Sequence, residues 1–398
     1  MTGRPPLAGQ RTGSGSAFDA IVIGAGIVGC AIAYELAKSG LQVALVEKGD
    51  IGGAVTGGSL ACIGTHMLSR DELPLLIRSC ARWRELTEEL ERGFEYTVGG
   101  QLRFVRRPED VAVARSWIDL ERSHGLEPTL LDPRSVRDRV PALRGPILAA
   151  TWSPRDATVN PFLACRALIE AATRHGCRVM PGTEVTAITT TGGRVTGVEA
   201  AGRRLSTPVV VNAAGPWAAR VASLARCEVA ITPRKAQCIA TVRVPPTIAC
   251  VVGACESAGG VEAGYTQIQQ SAQGQILFNT VLAGGGRQEG RQDTDRSVDR
   301  PFVLDSVKML LWLFPGLRDV AMLRAWCAYE AVTPDDRFLI GPVAGLDGFL
   351  MAAGDGGTGF NRAPIIGQMI DHFVRGAPFD LPMQPYAPDR FRAPAGTP

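Results

Sequence analysis

Apolar residues in this chain follow two rhythms. Unbroken short runs mark buried strands, and spacing by three or four marks helices. Asp19-Ala20-Ile21-Val22-Ile23 is a β-rich run entering Gly24-Ala25-Gly26-Ile27-Val28-Gly29. An Ala-rich helix follows from Cys30 to Ser39 and stops at Gly40, and Leu41 to Val46 is a second buried strand ending in Glu47. Together they read as one βαβ unit. Asp71 to Arg92 carries Leu73, Leu76, Ile77, Cys80, Trp83, Leu86 and Leu90 at helical spacing, and Pro108 to Ser123 does the same with Val111, Ala114, Trp117 and Ile118. Asn160-Pro161 reads as an N-cap and first-turn proline of a helix reaching about His175. Val185 to Ile188, Gly192-Gly193 and Val195 to Val198 form a strand–turn–strand ribbon. Pro208 to Val211 is a further buried strand, closing on Asn212-Ala213-Ala214-Gly215.

From 226 to 330 the pattern changes to alternation, as in Cys238 to Val244 and Tyr265 to Thr280, which suits an antiparallel sheet. Gly284 to Arg300 is polar and Gly-rich, an exposed loop by composition. Near 336 the parallel-sheet character returns with Phe338 to Gly341 and Phe349 to Ala353, then Gly354 and a helix from about Ala363. The nucleotide-type elements are thus discontinuous, with other segments inserted between them.

Composition narrows the class. The chain has 398 residues and a net charge of +3, with no basic field for nucleic acid. The uncharged stretch Ala20 to Tyr34 is shorter than the ~20 apolar residues of a spanning helix. The first 17 residues lack an apolar core and read as a flexible tail, not a signal peptide. Ten cysteines show no CxxC pair, and the four histidines make no metal pair. The expectation is reduced thiols in a cytoplasmic protein, with no metal or iron–sulfur site of its own. Glycine, at 46 residues, exceeds the usual ~7%, so some of it should serve special backbone geometry.

That geometry has addresses. Gly24-x-Gly26-x-x-Gly29 follows a strand, opens a helix and precedes Glu47 at the end of the next strand. The glycines permit close approach of a pyrophosphate to a helix N-terminus, and Glu47 can accept from ribose hydroxyls. Two distant segments favour FAD over NAD. Val209 to Trp217 is a strand entering a small-residue turn, where Ala213, Ala214, Gly215 and Trp217 can pack on a dinucleotide. Gly354-Asp355-Gly356-Gly357-Thr358-Gly359-Phe360 is a Gly-rich turn opening a late helix, whose N-terminus can face the electron-rich edge of a reduced isoalloxazine.

On these residues the chain resembles the FAD-dependent D-amino-acid oxidase-like (DAO) family over about residues 18 to 376. Further carriers are Gly57-Gly58-Ser59-Leu60, Thr158-Val159-Asn160-Pro161, Tyr265 with Gly274, Arg324-Ala325-Trp326 leading to Thr333-Pro334-Asp335, and Pro364 with Gly367. It is most similar to β subunits of hetero-oligomeric opine, proline and hydroxyproline dehydrogenases and of sarcosine oxidase. The resemblance implies an α/β fold with a Rossmann-like FAD domain built from 18–62, 155–225 and 331–376. A substrate domain (63–154 and 226–330) with a mostly antiparallel sheet is interleaved with it, and 377–398 is a C-terminal tail. Lys48 and Val185 join the FAD contacts.

The implied reaction is oxidation of an amino acid or secondary amine at the carbon next to nitrogen, with hydride passing to flavin N5 and the imine then hydrolysing. Where monomeric sarcosine oxidases carry a substrate-binding lysine, this chain has Asn361 and then Arg362. Arg324, Arg337 and Arg362 are candidate substitutes for holding a carboxylate, each set against the reading as a structural or surface arginine. Tyr265 and Gln267 lie on the ribbon that covers the substrate in relatives, or else pack the sheet. His66 faces the isoalloxazine, or is a capped, partly exposed histidine. Asp355 reads as a cap of the late helix. Cys327 is out of register with the flavin-linking cysteine of relatives, so non-covalent FAD is expected. A covalent FMN is not expected, because no histidine lies near Asp156, but the resemblance leaves room for FMN at a subunit interface.

The expected partners are a small amino acid or opine-like substrate, an α subunit, and a small subunit carrying any iron–sulfur cluster. Any membrane association would run through those partners. The readings weighed against this are a self-sufficient oxidase making hydrogen peroxide, a glycine dehydrogenase of hydrogen-cyanide-synthase type, and a flavin-bearing scaffold without chemistry.

Overall fold

The computed structural model describes residues 18–91, 93–255, 264–282 and 295–391. The N-terminal tail reading and most of the 284–300 loop reading lie outside these residues. The first βαβ unit forms as its pattern requires. Strand Ala20–Ile23 and strand Val43–Val46 are wholly apolar and buried on both faces, and the Ile27–Lys38 helix joins them. They sit at the centre of a six-stranded sheet ordered Leu339–Pro342, Phe349–Ala353, Val210–Asn212, Ala20–Ile23, Val43–Val46, Arg178–Met180. Neighbours run parallel except Leu339–Pro342, which pairs antiparallel with Phe349–Ala353. The parallel character read for 338–341 is corrected there, because a short connection returns the chain directly beside the strand it precedes.

One face of this sheet packs on helices Ile27–Lys38, Leu73–Glu89, Pro161–Arg174 and Gly359–Arg375, and the other on the Val185–Ser206 ribbon. Helix Pro161–Arg174 starts as expected, with Asn160 Oδ1 accepting from Phe162 and Leu163 amides at 3.1 and 3.3 Å. The late and first helices approach closely at Gly367, where a Cβ would stand 3.0 Å from the Ala31 carbonyl. The late helix begins at Gly359, earlier than about 363, and carries Pro364 within its first turns. Pro364 is its sixth residue, and the Phe360 carbonyl that a backbone N–H at 364 would have met accepts instead from Trp83 Nε1 at 3.2 Å.

A second, eight-stranded sheet is ordered Met322–Val332, Thr232–Arg243, Gln275–Val281, Tyr265–Gln270, Val251–Ala254, Gln101–Val105, Ala149–Ser153, Thr129–Leu131. It is antiparallel except where Val251–Ala254 meets Gln101–Val105. Its residues alternate between two faces. Leu102, Phe104, Ile239, Val252, Ile268, Ile276 and Phe278 share a core with helix Arg300–Leu313. That helix is not foreseen from the sequence, since its polar N-terminal flank reads as loop. The C-terminal stretch is not all tail: Tyr386 is buried, and Arg390 donates to the Phe338 and Arg337 carbonyls at 2.9 and 2.7 Å. Among the described residues no helix is long and apolar enough to cross a membrane.

Candidate active site

Residues of both sheets line a cavity of about 610 Å³. At one end, the Ile27–Lys38 helix begins on Gly26, which has no side chain of its own to cap it. Gly24 has φ +103°, and a Cβ on it would stand 2.5 Å from the Ala213 carbonyl, so the first strand can pass the Ala213–Gly215 turn only with glycine there. The Glu47 carboxylate accepts from the Ala25 amide at 2.8 Å and the Gly49 amide at 2.7 Å. Thr56 Oγ1 accepts from the Ile27 amide at 3.0 Å. Lys48 Nζ lies 3.9 Å from the centre of the Trp217 ring.

The other end is the polar face of the eight-stranded sheet. Gln101, Arg103, Tyr265, Gln267 and Asn279 line it. Pairing registers set Arg103 beside Gly253, Gly253 beside Gln267 and Gln267 beside Asn279. Arg103 is buried (3% exposed) and makes no ion pair among the described residues. With the Gln101 amide turned so that both its ends are satisfied, its oxygen accepts from Arg103 Nε and Nη2 at 2.9 and 2.8 Å, and its nitrogen donates to Asp156 Oδ2 at 2.7 Å. The guanidinium leans across Gly253, where a Cβ would stand 2.9 Å from Nη1. Burial raises the Asp156 carboxyl above its ordinary value.

The Gly-rich turn closes the cavity between these ends. Arg234 donates to Glu330 Oε2 at 2.7 and 3.0 Å and to the Gly356 carbonyl at 2.9 Å. Burial, and then the charge of Glu330, push Asp355 up to about 6.

The model of the FAD dependent oxidoreductase family (DAO) matches residues 19–372. The chain belongs to this family. Hydrogen cyanide synthase subunit HcnC of Pseudomonas aeruginosa is 26% identical over 418 aligned residues, covering 94% of this chain and 96% of that one. Sarcosine oxidase subunit beta of Rhodobacter capsulatus is 25% identical, covering 87% and 82%. The crystal structure of L-proline dehydrogenase from P. horikoshii superposes with a TM-score of 0.85 at 28% identity, covering 94% and 97%. This member of the DAO family is an FAD-dependent oxidoreductase of the amino-acid and amine oxidising type.

The cavity fits FAD on its own terms. A helix N-terminus that begins on glycine suits a diphosphate: Gly26 lines the cavity with no side chain of its own between its backbone and the space beyond. Glu47 retains lone pairs for ribose hydroxyls. Of the residues read as FAD contacts, Gly24, Gly26, Ile27, Val28, Glu47, Lys48, Gly58, Ser59, Leu60, Val185, Ala213, Ala214, Gly215, Trp217 and Gly354 to Phe360 lie on the wall. Ala25, Gly29 and Gly57 do not line it. A Cβ at Gly29 would stand 1.8 Å from the Gly24 carbonyl, so that glycine closes the turn instead.

Of the substrate candidates, Tyr265, Gln267 and Asn361 line the cavity. The arginines read from sequence do not. Arg324 lies on the exposed edge strand with its guanidinium 4.6 Å from the Trp326 ring centre. Arg337 pairs with Asp71 at 2.7 Å, and buried Arg362 pairs with Glu72 at 2.6 Å. His66 neither faces the cavity nor is partly exposed. It is fully buried, with Nδ1 2.9 Å from Glu121 Oε2 and Nε2 2.7 Å from Thr151 Oγ1. Asp355 does not cap the late helix; it accepts from the Ala331 amide at 3.2 Å, and the N-cap position is Thr358, whose side chain makes no capping bond. Sequence reasoning missed Gln101, Arg103, Arg234, Asn279 and Glu330. The signal for two of these was present in the alternation Gln101-Leu102-Arg103-Phe104, a strand with one polar face.

Proposed function

We propose that this chain oxidises the C–N bond of an amino acid or secondary amine of opine, proline, hydroxyproline or sarcosine type, as one subunit of a hetero-oligomeric dehydrogenase. One observation carries the substrate class. Arg103 presents a buried positive charge to the cavity, and among the described residues its side-chain partner is a neutral amide, Gln101. A buried charge with no counter-ion is costly, and a substrate carboxylate meets it with bidentate geometry. Arg103 thus takes the role that sequence assigned among Arg324, Arg337 and Arg362.

FAD, when bound, supplies the two-electron acceptor for the hydride leaving the carbon beside nitrogen. The protein's part is to hold and orient. Arg103, fixed by Gln101, anchors one end of the substrate, and the polar face at Tyr265 and Gln267 receives the amine end. The Gly24–Val28 turn, Glu47 and the Gly354–Phe360 turn hold the cofactor. We read its attachment as non-covalent: Ala328 and Glu330 line the cavity, while the Cys327 thiol points to the Asp295 carbonyl at 3.8 Å. The split into FAD-binding and substrate segments is supported by strand origins. The six-stranded sheet draws on 20–46, 178–212 and 339–353, and the eight-stranded sheet on 101–153 and 232–332. The subunit reading is supported by relatives named as subunits of sarcosine oxidase and hydrogen cyanide synthase. On that reading, relay centres beyond FAD, an interfacial FMN or an iron–sulfur cluster, belong to partners.

The test is anaerobic bleaching of the FAD-loaded chain by proline, hydroxyproline, sarcosine, glycine, D-amino acids and octopine, beside decarboxylated counterparts such as pyrrolidine. Carboxylate-bearing members should bleach the flavin, and Arg103→Leu should raise the half-saturating concentration by about 100-fold or more. Bleaching by none of them, or an unaffected Arg103→Leu, refutes the reading. Rapid peroxide formation by the lone chain replaces the subunit with an oxidase.

A further inference from the structure

Three side chains of strand Tyr265–Gln270 point to the cavity face, at positions 265, 267 and 269, and they form one line of hydrogen bonds. Gln269 Nε2 donates to the Leu60 carbonyl at 2.6 Å, Gln267 Nε2 donates to Gln269 Oε1 at 3.0 Å, and the Tyr265 hydroxyl donates to Gln267 Oε1. Gln269 and Gln267 are buried, at 4% and 8% exposure.

The direction of this line is set at its far end. A backbone carbonyl can only accept, so Gln269 must turn its NH2 group to Leu60. Its oxygen then faces Gln267, which must answer with its own NH2, and the Gln267 oxygen faces Tyr265. Reversing any link would set two acceptors against each other in a buried place. Tyr265 has one proton, and the line claims it. Burial raises the phenol above its ordinary value, so the proton stays on. What remains on the Tyr265 oxygen is a lone pair.

We propose that Tyr265 meets the substrate only as a hydrogen-bond acceptor, so that the site selects substrates carrying an N–H beside the oxidised carbon and rejects tertiary amines. This rests on the C–N oxidation reading above and adds a rule to it. Arg103 supplies donors and Tyr265 an acceptor. Arg103 leans over bare Gly253 toward the strand that holds Tyr265, so a carboxylate and an amine on adjacent carbons meet complementary partners. A primary or secondary amine satisfies both. A neutral tertiary amine sets its own lone pair against that of Tyr265.

Two flat, non-oxidisable carboxylates of equal shape test this on the FAD-loaded full chain. Pyrrole-2-carboxylate presents a ring N–H where furan-2-carboxylate presents a ring oxygen. Binding is read from the perturbed visible absorbance of the flavin. The wild type should bind the pyrrole about tenfold or more tighter. Tyr265→Phe should bring the two within about twofold. Gln269→Leu, at a residue that does not line the cavity, should also narrow the ratio, because Gln267 can then turn and release the Tyr265 proton toward the ligand. A purely structural role for Gln269 would weaken both ligands alike and leave the ratio unchanged. Equal binding of the two by wild type overturns the proposal and leaves the carboxylate reading standing. Binding of neither removes the carboxylate reading as well.

Discussion

Asn361 and Gly64 are joined in both directions: Asn361 Nδ2 donates to the Gly64 carbonyl at 2.6 Å, and Asn361 Oδ1 accepts from the Gly64 amide at 3.2 Å. The late helix is thereby pinned to the loop after strand Cys62–Ile63. Ser79 Oγ adds a bond to the Asn361 carbonyl at 2.7 Å. A lysine, the residue of related oxidases, has no acceptor with which to answer the Gly64 amide. Asn361→Leu should therefore cost about 2–4 kcal/mol, since it strands two buried backbone groups. Asn361→Asp below about pH 4, where a protonated carboxyl can keep both an acceptor and a donor, should cost less. Urea unfolding of both variants ranks them, and equal costs would mean that the loss is one of packing.

Gly253 is the bare position over which Arg103 lies. A methyl group there would meet Arg103 Nη1 and the Thr266 carbonyl, each at 2.9 Å. Gly253→Ala should weaken carboxylate binding by about tenfold and lower stability by about 1–3 kcal/mol through overpacking. The binding arm decides whether Arg103 is the anchor: unchanged affinity for furan-2-carboxylate, with the expected loss in stability, would show that it is not.

Asp355 links the late turn to pH. Burial and the Glu330 charge raise its carboxyl from 3.8 to about 6. The folded protein therefore holds this proton more tightly than the unfolded chain. The stabilisation is whole below about pH 3.8 and is lost as pH rises through about 6. Asp355→Asn cannot ionise, so its stability should not show this decline. Relative to wild type, the variant should gain up to about 3 kcal/mol between about pH 4 and 7, at 1.36 kcal/mol per pH unit. Urea midpoints of the FAD-free protein at about pH 5 and 7.5 check the sign. A gap that is the same at both pH values would remove the titration from Asp355.

Much of the nucleotide half was legible because its signals are local. Continuous apolar runs, Gly24-x-Gly26-x-x-Gly29 and a distant Glu47 need no knowledge of what packs where, and the strands and turn lie where they were read. The substrate half depends on which strands become neighbours. Arg362 adjoins the resemblance-marked turn, yet its side chain points to Glu72, because a helix turns successive side chains by about 100° and Asn361 takes the cavity side. Arg103 is far from every glycine motif in sequence. Only the pairing with Gly253, roughly 150 residues later, brings it beside Gln267. His66 was misplaced for the same reason, since it lies in a turn and its partner Glu121 comes from the distant helix Pro108–Ser123, and no local pattern announces that pair.

The eight-stranded sheet separates two kinds of change. Gln101, Arg103, Tyr265 and Gln267 face the cavity, while Leu102, Phe104 and Ile268 on the same strands fill the core. Neighbouring codons therefore serve different masters. Substitutions at the cavity-facing positions can redirect what is bound while the packed volume stays untouched. A one-residue insertion in either strand would instead exchange the two faces and place an arginine in oil. A lineage built on this sheet can drift in substrate by point changes and is held to its framework against shifts in length.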